Sequence, residues 1–156
     1  MMDSIAHSVE RDPGYFARLH FTETKPDATT ADALAEGAAG IVSVVGASAI
    51  TCFTSSGSTV RRVARERPLA PILALTPRID TARKLGLTWG VHAVRTKDIG
   101  NFEEMVGKAR RMALRTDMVD KGGKIVVLAG VPFGTPGSTN VLHVAAIRGD
   151  ELKGRD

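Results

Sequence analysis

Apolar residues recur every three or four positions through Ala31, Leu34, Ala35, Ala38, Ile41, Val42 and Val45, which predicts an amphipathic helix. Thr29 and Thr30 supply cap chemistry at its start, and Gly46 marks its end. The apolar run Ala49 to Phe53 reads as a strand. A hydroxyl-rich loop, TSSGST at 54–59, leads from it into a helix through Val60, Val63 and Ala64, which must stop before Pro68. Pro71 to Leu75 predicts a second strand. Thr76 and Pro77 then read as a helix start, with Ile79, Ala82 and Leu85 as its inward stripe. Val91 to Val94 is a third strand, and Asn101 with Glu104 opens a helix striped by Phe102, Met105, Val106, Ala109, Met112 and Ala113. After the turn Lys121-Gly122-Gly123, Ile125 to Ala129 is continuously apolar, as a strand covered on both faces would be. A last strand, Val141 to Ile147, follows the loop GVPFGTPGSTN at 130–140.

Strands alternating with helices at short spacing imply βαβ units, hence a mostly parallel sheet between helical layers. The last strand is reached through a loop too short for a helical crossover, so it should run antiparallel to its predecessor. Upstream, MMDSIAHSVE places Met2, Ile5, Ala6 and Val9 on one helical face and ends at Asp12-Pro13-Gly14. Tyr15 to Ala28 has no sustained period and reads as a linker. The organisation is thus an N-terminal helix and linker at 1–28, a domain at 29–148 and a charged tail at 149–156.

The composition fits one globular domain: 156 residues, 43% apolar and 24% charged. Lys and Arg exceed Asp and Glu by 21 − 17 = +4, but they are dispersed, and aromatics at 4% are too few for base-stacking platforms, so nucleic acid is not an expected partner. The single cysteine, Cys52, lies in an apolar run and reads as a small buried hydrophobe, in keeping with a reducing cytoplasm. No run of about 18 apolar residues suggests a membrane span. His7, His20, His92 and His143 are scattered, without metal-ligand spacing or an adjacent nucleophile. Arg61, Arg62, Arg65 and Arg67 could meet an acidic partner but read better as a solvated helix face, and Trp89 reads as a packing residue after a helix end.

Two segments carry candidate chemistry. In TSSGST, a strand empties into a helix start, so unpaired backbone N–H groups and the positive end of the helix dipole point at one spot suited to phosphate. Thr54, Ser55, Ser56, Ser58 and Thr59 could add hydroxyl donors, and Gly57 allows close approach to the backbone. The same string is equally an ordinary cap in a strand-to-helix turn. The second segment includes Gly134, Thr135, Pro136, Gly137 and Ser138, bent and stiffened by its glycines and prolines. It is either a second wall of that site or a tight connection.

The stretch TSSGSTVRRVARERPLAPILALTPRIDTARKLGLTWGV and the loop AGVPFGTPGSTN, in this order and separation, resemble the C-terminal domain of pyruvate kinases. MMDSIAHSVE resembles the helix joining that family's catalytic barrel to this domain. The resemblance implies a three-layer αβα sandwich with a five-stranded mixed sheet of order 3-2-1-4-5, strand five antiparallel. It implies that both loops meet at a switch point between strands one and four, where open α/β sheets bind ligands. There a phosphorylated effector, a sugar phosphate or AMP, would bind the first loop with the last loop folded over it. It further implies partnership with a catalytic barrel and sister subunits of a phosphotransferase. The magnesium and potassium of that chemistry belong to the barrel, so no cofactor is expected in these residues. Many relatives carry a charged residue in the first loop, whereas here none occurs before Arg61, which weakens the expected pull on phosphate. The expected role is regulation and assembly rather than catalysis. Alternatives are a small stand-alone enzyme or phosphate-ligand sensor at the same cleft, or an interaction module. The enzyme reading needs a general acid or base, and neither loop contains His, Asp, Glu or Lys.

Overall fold

The computed structural model of the chain describes residues 2–10, 12, 14–15, 28–133, 135 and 138–148. The elements in chain order are α1 (Met2–Glu10), α2 (Thr30–Val45), β1 (Ala49–Phe53), α3 (Ser58–Arg65) and β2 (Ile72–Thr76). Then come α4 (Ile79–Leu85), β3 (Val91–Arg95), α5 (Phe102–Arg115), β4 (Lys124–Gly130) and β5 (Thr139–Ala146). The sheet order is β3-β2-β1-β4-β5. The pairs β3/β2, β2/β1 and β1/β4 are parallel, and β4/β5 is antiparallel, as expected from the short final connection.

Side chains alternate across the sheet, so each strand feeds two cores. Ile50, Cys52, Ile72, Ala74, Val126 and Leu128 face one side, packed with Ala35, Ala38 and Val42 of α2, Val60 and Val63 of α3, and Leu85 of α4. Ala49, Leu73, Leu75, Ile125, Val127 and Ala145 face the other, against Met105, Val106, Ala109 and Ala113 of α5. Three helices therefore cover one face and one covers the other. The alanine stripe of α2 packs on its own sheet, with Ala35 and Ala38 buried. Burial at the centre of β1 pushes the Cys52 thiol well above its usual range, leaving it unreactive. Met2, Ile5 and Val9 of α1 are exposed.

Cap chemistry sets the helix ends. Thr29 accepts from the Asp32 N–H at the start of α2, and Gly46 closes that helix at φ +63°. Asn101 accepts from the Glu104 N–H, while Glu104 reaches back to the Gly100 N–H, a cap completed one residue upstream of the usual box.

Two expectations are corrected. Thr76 and Pro77 do not open α4: Thr76 stays in β2, paired with Arg95, and its hydroxyl accepts from the Arg78 N–H before the helix begins at Ile79. The arginines of α3 are not only a solvated face: Arg61 and Arg65 are exposed, yet the cluster meets an acidic partner within the domain. Arg62 and Arg65 both grip Asp32 of α2, at 3.3 and 2.8 Å, and Arg67 stacks over Trp89 at 4.6 Å. Asp32 is 1% exposed, and the Thr29 hydroxyl, then the two guanidiniums, hold its carboxyl below the ordinary range. Gly14 and Tyr15 are helical, whereas residues 16–27 of the expected linker and the charged tail at 149–156 lie outside the described residues.

Candidate functional site

β1 delivers the chain into its loop at the carboxyl edge of the sheet. The Thr54 hydroxyl accepts from the Gly57 N–H at 2.8 Å, and Gly57 turns at φ +83° to cap α3. A side chain there would meet Leu85 and Arg61 at 3.1 Å, so the turn is packed from behind. The Ser55 carbonyl accepts from the Thr81 hydroxyl at 2.8 Å and the Ser56 carbonyl from the Arg61 guanidinium at 3.2 Å. These two bonds tie back the Ser55 and Ser56 carbonyls. Ser56 and Ser58 share a hydrogen bond at 3.1 Å, and Gly57 offers no side chain to the first N–H groups of α3.

β4 and β5 bring the last loop to the same place. The buried hydroxyls of Thr59 and Thr139 lie 2.5 Å apart across 80 residues of sequence. Gly130 is compressed, since a Cβ would stand 2.5 Å from the Ser138 hydroxyl. The Asn140 side chain bonds both the N–H and the carbonyl of Val131, and the Ser138 hydroxyl donates to the Thr135 carbonyl at 2.9 Å. Thr54, Ser55, Ser56, Ser58, Thr59, Thr135 and Ser138 line one cleft of about 90 Å³, room for several waters or a small anion. Gly57 forms the turn behind it. Gly134, Pro136 and Gly137 lie outside the described residues.

Two further loops, not anticipated from the sequence, complete the walls: Thr76 and Pro77 after β2, and Thr96, Lys97, Asp98 and Ile99 after β3. Among the described residues lining the cleft, Lys97 and Asp98 are the only charged ones. The signal that finds them is topological, because parallel strands release all their following loops at one edge. Among the described residues no group of three or more His, Cys, Asp or Glu side chains is placed to hold a metal ion, and no helix is long and apolar enough to cross a membrane.

Comparison with known proteins agrees with this architecture. The family described as the pyruvate kinase alpha/beta domain matches residues 32–145. A pyruvate kinase of Methylorubrum extorquens is 42% identical over 146 residues, 94% of this chain and 30% of that protein. One from Agrobacterium vitis is 40% identical over 144 residues, 92% of this chain and 30% of that protein. One from Clostridium acetobutylicum is 36% identical over 146 residues, covering 94% and 31%. The chain spans about 30% of the length of these relatives. The matched residues, the strand order and the antiparallel last strand together show that the chain belongs to the pyruvate kinase family, of which it is the C-terminal alpha/beta domain.

Proposed function

We propose that the domain binds a phosphorylated small molecule, a sugar phosphate or AMP, in the cleft at the carboxyl edge of its sheet, and acts as a regulatory and assembly unit of a pyruvate kinase. One observation carries the reading: the hydroxyl-rich loop after β1 and the loop before β5 meet through Thr59 and Thr139 at the switch point between β1 and β4. The start of α3 and the hydroxyls of Ser56 and Ser58 suit a phosphate, and Lys97 supplies the cation that the first loop lacks. Phosphate transfer from phosphoenolpyruvate to ADP, with its magnesium and potassium, belongs in this reading to the family's barrel. The catalytic barrel and sister subunits are then the macromolecular partners.

A reading as a small enzyme draws on Asp98 and Lys97, which give the cleft an acid and a base that neither of the first two loops provides. Both are solvent-exposed loop residues, and no nucleophile is hydrogen-bonded to either side chain among the described residues, so regulation is the better supported reading.

Thermal-shift titration with fructose 1,6-bisphosphate, glucose 6-phosphate, AMP and inorganic phosphate tests the proposal. Stabilisation by at least one ligand is expected, and Ser58→Glu, which sets a carboxylate at the start of α3, should abolish it. Indifference of the unmodified chain to all four ligands refutes binding.

A further inference from the structure

The loop after β3 carries both of the charged residues described in the cleft lining, and inside it the Ile99 N–H donates to the Asp98 carboxylate at 3.0 Å. The Thr96 N–H donates to the Thr76 carbonyl, and Ile99 is buried against the α5-side core. Between these two anchors, the carbonyls of Lys97 and Asp98 belong to neither sheet nor helix. Both accept from one side chain: the Lys108 ammonium donates to the Lys97 carbonyl at 2.8 Å and to the Asp98 carbonyl at 3.1 Å, and the Lys97 carbonyl accepts from the Thr96 hydroxyl as well, at 2.7 Å. Its third donor meets the Glu104 carboxylate at 3.4 Å. All three ammonium donors are thereby used. Glu104 in turn accepts from the Gly100 N–H at 2.9 Å, so a single lysine–glutamate pair on α5 fastens the loop at three backbone groups. Lys108 is only 14% exposed, unlike an ordinary surface partner of an i,i+4 pair.

We infer that Lys108, which does not line the cleft, is the positioning residue of its third wall and thereby tunes affinity for the anionic ligand. The inference rests on the binding reading above. A surface pair that merely supports a helix would leave the loop indifferent to loss of the ammonium. Here loss of the ammonium strips two carbonyls of their charged donor, and the stretch bearing Lys97 and Asp98 loosens between its remaining anchors.

The test uses the whole chain with Lys108→Met and Lys108→Arg. Hydrogen exchange without ligand should show faster exchange of the Ile99 and Gly100 amides in Lys108→Met, with the amides of β1 and β4 unchanged. Titration with fructose 1,6-bisphosphate should show about tenfold weaker binding in Lys108→Met, from the loss of charged hydrogen bonds, and substantial recovery in Lys108→Arg. Unmodified exchange at Ile99 and Gly100 in Lys108→Met overturns the positioning role whatever the ligands do. Faster exchange with unaltered affinity overturns the link from loop to ligand. Failure of the unmodified chain to bind any ligand, with accelerated exchange in Lys108→Met, refutes the binding reading while supporting the clasp.

Discussion

Gly130 and the Thr59–Thr139 pair show how single residues shape the cleft. At Gly130, the last residue of β4, the ladder to β5 slips register, and the Ser138 backbone crowds to within 2.8 Å of where a Cβ would stand. Gly130→Ala must push Ser138 aside, and we expect a loss of about 1–3 kcal/mol on denaturant unfolding, as for overpacked sites. The two threonines make a complementary case. Thr59→Val leaves the Thr139 hydroxyl, 5% exposed, without its partner, which should cost about 1–3 kcal/mol. The double variant Thr59→Val/Thr139→Val should lose less than the sum of the two single variants, because no orphan then remains. A double-mutant cycle by chemical denaturation reads this coupling, and strict additivity would show that the contact contributes nothing. The hydroxyl-rich loop was legible as a ligand candidate from its composition. The partnership of Thr59 with Thr139 was not, because nothing local to either residue names a neighbour 80 positions away.

At the scale of elements, α2 and α3 are fastened by charge as well as by packing. Asp32 sits between Arg62 and Arg65, whose side chains are 32% and 33% exposed. Its carboxyl ionises below the ordinary 3.8, first because of the Thr29 hydroxyl and then because of the arginines. A depressed folded pKa stabilises the fold above the unfolded value and ceases to do so as pH falls through the folded one. Asp32→Asn should therefore lower Tm at neutral pH, and the gap to the unmodified chain should close as pH drops below about 3.8. A gap that stays constant down to pH 2 would assign the effect to packing alone. Glu104 follows the same sign: the Gly100 N–H, then Lys108, depress its pKa from 4.5, so the loop at the start of α5 should loosen on acidification.

Periodicity located α2, α3 and α5 because each buries a regular stripe. The start of α4 departs from its sequence signature because Thr76 before Pro77 is a local signal, whereas pairing with Arg95 draws Thr76 into the sheet. The arginines of α3 read as solvated because Asp32, their partner, lies about one helix and one strand upstream.

Over the whole molecule, two cores on opposite faces of one sheet hold a rigid edge from which four loops rise. Strand order came from family resemblance rather than from periodicity, and without it the convergence of these loops was invisible. Lys97 and Asp98 escaped notice because β3 lies two strands from β1, and a charged loop there looks like ordinary surface until its reach across the edge is seen. A ligand that binds the folded chain alone raises its stability by mass action, by about 2.7 kcal/mol at a hundredfold excess over Kd. Tm should therefore climb with effector concentration and keep climbing logarithmically beyond saturation; a plateau would mean that the unfolded chain binds as well.

β1 occupies the middle of the sheet, yet its neighbour β4 begins 75 positions after β1 itself does, at Lys124 against Ala49. During synthesis its hydrogen-bonding edge on that side stays bare until the chain has been made as far as β4. A nascent chain halted before Lys124 thus presents a naked apolar strand, and that interval is when a chaperone has most to protect.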